Sequence, residues 1–165
     1  MISLMSSEPI QAVVREAVPF DAIRGGDDLD TRLLREMAEE AVRYVRSFRW
    51  CIELNEQFFV DGYGGIVALF LFRITIRKVE APEWVWVVVG DIPSAYLEFE
   101  AAPTPHAAFL RYIEGVEEWL TATPEERASG DLIPIEVPPG DEFLDMLRGR
   151  MDTLRSLVLP HMREN

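Results

Sequence analysis

Leu33, Leu34, Met37, Ala38, Ala41, Val42 and Val45 recur three and four residues apart, the spacing of a helix that turns one face to a core. Asp30 precedes this stripe as an N-cap, so the pattern predicts a helix over residues 30–47, with Glu39 and Arg43 on its wet face. The period then changes to two. Trp50, Ile52, Leu54, Phe58 and Val60 alternate with Glu53, Asn55 and Gln57, as in a strand with one solvated side. Asp61, Gly62, Gly64 and Gly65 mark a turn, and residues 66–77 return as a second strand. Ile66, Ala68, Phe70, Phe72, Ile74 and Ile76 share one of its faces, while Val67, Leu69 and Leu71 begin the other, which turns polar at Arg73. After Pro82, Trp84, Trp86 and Val88 oppose Val85, Val87 and Val89, giving a third strand that is apolar on both sides. Residues 96–99 fit a short fourth strand.

Thr104 and Pro105 open a second helix on the stripe Phe109, Tyr112, Ile113, Val116, Trp119 and Leu120. Thr123, Pro124 and Glu126 repeat the cap, proline and capping-box pattern and start a short helical turn that Gly130 ends. Residues 132–139 are expected to cross in an extended form, at most as a sheet-edge piece limited by Pro134 and Pro138. Asp141 opens a last helix on Phe143, Leu144, Leu147, Met151, Leu154 and Val158, and Pro160 stops it.

The sum is α+β: an antiparallel meander of three to four strands, preceded by one helix and followed by two. Residues 1–28, with Ser6, Ser7, Pro9, Pro19, Gly25 and Gly26, read as a loosely ordered leader with at most one short ordered piece over residues 10–18, and residues 29–165 as a single α+β domain. Strands two and three are too apolar for one covered face. Either helices lie on both sides of the sheet, or part of one face meets a second copy in a twofold dimer.

The 165 residues carry 29 acids against 16 bases, a formal charge of −13. That charge repels phosphate backbones and anionic lipid, so neither nucleic acid nor a membrane is an expected partner. It suits a solvated surface, or a face that attracts a basic protein. Fifteen of the bases are arginine and Lys78 is the one lysine, a usage that fits a GC-rich bacterial genome. Cys51 is the single cysteine and can form no internal disulfide, which agrees with a reducing compartment. Residues 1–14 lack the features of a signal peptide, and the longest apolar run, residues 66–72, is far short of the roughly 20 residues of a membrane helix. A cytoplasmic location is the expectation.

Chemistry-bearing residues are sparse. His106 and His161 stand 55 residues apart and, with Cys51 elsewhere, match no zinc spacing, so no metal and no cofactor is expected. No nucleophile-elbow pattern occurs, and Cys51 reads as a half-buried filler. The glycines at 62, 64 and 65 join strand to strand, unlike the strand-to-helix loops that cradle phosphates. Asp61 and Asp91 are the catalytic candidates, because each closes a strand beside a glycine and an up-down-up meander puts both at one edge, where they could share acid and base work. Asp beside Gly is also an ordinary turn former. Glu114, Glu117 and Glu118 share the outer face of the second helix and form a candidate ridge for a basic partner. Trp50, Trp84, Trp86 and Trp119 all fall on predicted core faces.

The run from Trp84 to Leu97, WVWVVVGDIPSAYL, followed from Ala102 by APTPHAAFLRYIEGVEEWL, resembles small bacterial proteins of unknown function. They share a Gly-Asp-(Ile or Leu)-Pro-x-Ala-Tyr-Leu segment before a Thr-Pro helix. The likeness spans about residues 48–155 and implies a fold without an activity. In size, acidity and helix-meander-helix layout the chain is also loosely similar to immunity proteins that neutralise bacterial toxins. The leading functional expectation is therefore a non-catalytic protein-binding module, an immunity-like inhibitor among the forms it could take. A small hydrolase or transferase using the strand-end carboxylates and a structural homodimer subunit are the alternatives.

Overall fold

The computed structural model describes residues 2–164, and the side chains of residues 9–164. Five antiparallel strands lie side by side in chain order: β1 (Val18–Pro19), β2 (Cys51–Tyr63), β3 (Val67–Ile76), β4 (Glu83–Gly90) and β5 (Ala95–Glu98). Helices α1 (Ile2–Glu16) and α2 (Asp28–Arg46) precede the long strands, and α3 (Pro105–Thr121), α4 (Pro124–Ala128) and α5 (Asp141–Thr153) follow them. The α+β class and the antiparallel meander are those expected. The element count is higher at both ends.

Over most of their length β3 and β4 are dry on both faces, and the chain covers them itself. Val67, Leu69, Leu71, Trp86 and Val88 face a core built with Val13 of α1, Phe109, Tyr112, Ile113 and Val116 of α3, and Leu147 and Met151 of α5. Ala68, Phe70, Phe72, Ile74, Val85, Val87 and Val89 face a second core, built with Leu34, Met37, Ala38, Ala41 and Val45 of α2. None of these strand residues is more than 3% exposed. Burying each large side chain is worth about 1.5–3 kcal/mol, so the two layers of helix follow from the two apolar faces. A partner chain is not needed for this cover, so no twofold dimer is required to bury the sheet face.

Residues 9–28 are part of the fold, where a loose leader was expected. Val13 is 2% exposed and Ile23 is fully buried. Val18 and Pro19 pair with Phe59 and Phe58, and Phe20 packs edge-on against Phe70 at 5.6 Å. Proline is tolerated there because the outer side of an edge strand needs no N–H donor. Two-residue strands carry too little alternation to be seen in a sequence.

The boundaries of the meander also move. Helix α2 starts at Asp28 and is capped by Asp27, whose carboxylate accepts the Asp30 N–H at 2.8 Å. Asp30, expected as the cap, instead accepts the N–H groups of Gly26 at 2.8 Å and Gly64 at 2.6 Å, tying the β2–β3 turn to the helix. Strand β2 runs on to Tyr63, so Asp61 and Gly62 pair with Leu69 and Ala68 inside the ladder and do not form the turn. Register shifts at Cys51/Glu53, Leu54/Glu56 and Phe59/Asp61 break its expected single alternation and leave Ile52 55% exposed. Residues 132–139 form no strand, although Ile135 plugs the α3 side of the core. Beyond Thr153 the last helix widens into a π-turn at Leu154–Val158 and then tightens at Leu159–His161. Among the described residues no helix is long and apolar enough to cross a membrane.

Candidate functional site

The two strand-end acids are not a pair. Asp61 lies opposite Leu69 and Leu69 opposite Val88, so two strand widths and three residues along the chain separate Asp61 from Asp91. That is about 14 Å between backbones, too far for two carboxylates to share one proton-transfer step without a substrate between them. Their surroundings differ as well. Asp61 is half-buried, and burial pushes its carboxyl up, while the Gly62 N–H at 2.9 Å and the charge of Arg163 pull it partly back. Asp91 is 68% exposed and is clamped by Arg150 of α5 at 2.9 Å.

Asp61 has a consequence for stability. Because its native pKa lies above its unfolded value, the folded state holds a proton that the unfolded state has lost, and stability falls as pH rises between the two values. Asp61→Asn keeps the amide in the protonated acid's place and removes that slope. Thermal unfolding at about pH 4 and about pH 7 should show the variant gaining on the parent as pH rises. A constant difference would contradict this.

Asp91 and Arg150 sit in the middle of a continuous groove. One end, of about 360 Å³, is bounded by the β4–β5 turn, by Val137 and Pro138 of the crossing segment, and by Phe143, Met146 and Leu147 of α5. The other, of about 120 Å³, is bounded by Gly65 and Ile66 of the β2–β3 turn and by Thr153 and Leu154. Ile92 lines both. The wall on α5 is a stripe of its own. Phe143, Met146, Arg150 and Thr153 follow three- and four-residue steps beside the buried stripe Leu144, Leu147, Met151 and Leu154. Phe143, expected in the core, is 41% exposed, Met146 42% and Ile66 50%. The sequence hides this groove, because only the return of the two turns onto α5 creates it.

The ridge on α3 stands as a surface feature with one change. Glu114 and Glu118 are exposed, but Glu117 is held by the Arg155 guanidinium through both of its oxygens. That hydrogen bond, with Glu114 and Asp152 near, raises the Arg155 pKa above its ordinary value. Three of the five arginines between residues 105 and 158 form ion pairs, Arg148 with Asp145, Arg150 with Asp91 and Arg155 with Glu117. Arg127 lies over the Trp119 ring at 4.1 Å. The same stretch carries eleven acids.

The remaining chemistry-bearing residues are scattered over the fold. Burial pushes the Cys51 thiol up, away from reactivity. His106 donates its backbone N–H to the Arg163 carbonyl at 2.7 Å, and His161 is exposed. Only Trp86 of the four tryptophans is fully buried; Trp50 stacks on Phe48, and Trp84 on Phe58 beneath Arg73. Among the described residues no group of three or more His, Cys, Asp or Glu is placed to hold a metal ion. Comparison of the chain with protein-family models, with curated proteins and with solved structures gives no significant match.

Proposed function

We propose that the protein is a non-catalytic binding module for a basic protein partner, acting as an immunity-type inhibitor would. The observation that carries this reading is the charge arrangement of the helical layer formed by α3, α4 and α5. Residues 105–158, which carry these helices, hold eleven acids against five arginines, and because only Glu117 and Asp145 of those acids are paired, nine stay outside ion pairs among the described residues and present a negative surface. Such a surface speeds encounter with a basic partner and rejects acidic ones. The partner is a protein, because a net charge of −13 opposes nucleic acid and anionic membrane alike. A cytoplasmic setting agrees with the lone cysteine. The hydrolase and transferase reading has no support in the separated Asp61 and Asp91. The homodimer reading has lost the uncovered sheet face that motivated it.

The test uses the partner that copurifies with the tagged chain, purified again and titrated against it at about 50 and about 300 mM salt. Association is expected to slow by about tenfold or more at the higher salt, and Glu114→Lys with Glu118→Lys to slow it comparably at low salt. A salt-independent association rate, or one indifferent to both substitutions, contradicts the proposal.

A further inference from the structure

We infer that the groove beside α5 seats an amphipathic, basic helix of the partner; this rests on the reading of the protein as a module for a basic protein. Phe143, Met146, Arg150 and Thr153 step along α5 at the three- and four-residue spacing that helix-to-helix packing uses, and two of them are large apolar side chains left about 40% exposed. A helix that needed only to cover the sheet would keep this second stripe polar. Ile66 and Ile92, from the two turns at the same sheet edge, supply the opposite wall.

Charge complementarity says what fills it. On the outer side of this stripe, whose upper half is apolar, the next positions around α5 are Glu142 and Gly149 and then Asp145, which pairs with Arg148; Glu142 is exposed, and Glu136 lines the groove from the crossing segment. An apolar strip with an acidic margin matches a helix with apolar residues on one face and Lys or Arg beside them. From Phe143 to Thr153 the stripe is about 15 Å long, enough for three turns of such a helix. The Asp91–Arg150 pair, its Asp91 side chain 68% exposed, links the turn wall to α5, and a partner's arginine would compete for Asp91 there. Charge on the wider helical layer then governs how fast the partner arrives, and the apolar stripe how long it stays.

The probe is a designed helical peptide of about 18 residues with one apolar face flanked by lysine and arginine, set against a scrambled peptide of the same composition. The patterned peptide is expected to bind the intact protein about tenfold tighter, with amide shifts centred on Phe143, Met146, Arg150, Ile66 and Ile92. Met146→Asp should erase that advantage through faster dissociation, while an unchanged unfolding midpoint shows that the fold is intact. Phe143→Ser provides a second, milder variant. Equal binding of the two peptides, or shifts confined to α3, overturns the groove assignment and leaves the acidic module standing. Self-association that Met146→Asp abolishes assigns the groove to a second copy and also overturns it. Binding of neither peptide at low salt overturns the groove assignment and the parent reading together.

Discussion

Trp86→Ala is expected to leave the chain largely unfolded at 37 °C. The indole is fully buried on β4, stacked on Phe99 at 5.4 Å, and its Nε1–H donates to the Ala102 carbonyl at 2.7 Å. Truncating a buried Trp costs about 3–5 kcal/mol, and an orphaned buried carbonyl adds about 1–3 kcal/mol. Together these approach the whole stability of an ordinary domain, about 5–15 kcal/mol. Trp86→Phe keeps most of the volume and loses the hydrogen bond, so it should fold with a deficit of about 1–3 kcal/mol. Urea denaturation followed by circular dichroism distinguishes the two. A midpoint for Trp86→Ala close to that of the parent would mean that this face is not the packed core described here.

Gly90→Ala is expected to produce the next largest loss, about 3 kcal/mol or more, without removing a single contact. Gly90 ends β4 with φ at +152°, a conformation that side chains rarely adopt. An added Cβ would press into the Ile66 carbonyl and lie 2.9 Å from Val67 Cα, both backbone atoms that cannot swing aside. The Ile66 carbonyl also accepts the Asp91 N–H at 3.0 Å, so the strain would reach the groove as well as the ladder. Gly130→Ala is the control. Its φ is +85°, but nothing lies within 4 Å of the new Cβ, and its cost should be about 1–2 kcal/mol. Equal losses at the two positions, read by the same denaturation experiment, would show that crowding against Ile66 does not matter.

The doubly apolar third strand was legible in the sequence because two interleaved alternations, Trp84-Trp86-Val88 and Val85-Val87-Val89, leave no polar face to give to water. So was α3, because the Thr104 cap does what its residue type requires: its side chain accepts the Ala107 N–H at 3.1 Å. What escaped was whatever depends on partners distant in sequence. Asp30 resembles a cap, yet its carboxylate is occupied by Gly64, 34 residues away. Three register shifts in β2 were invisible because a bulge is set by the neighbouring strand and not by local composition. Phe143 reads as core because it stands one residue before Leu144 and four before Leu147. On a helix one residue is a rotation of about 100°, enough to carry it from the core to the rim of the groove.

The acids followed the same division. Glu114 and Glu118 could be placed on an outer face from helical spacing alone, whereas the capture of Glu117 by Arg155 needed the fold of α5 against α3. The meander puts Asp61 and Asp91 at one end of the sheet, but β3 lies between them and the extension of β2 past Asp61 offsets them along it.

One lone chain closes both faces of its own central strands. The thermal unfolding midpoint measured from about 1 to about 100 µM chain tests this most directly, since a core shared between copies makes that midpoint depend on concentration. A midpoint that does not move across the range is the predicted result. A steady rise with concentration would show that part of the core belongs to a second chain.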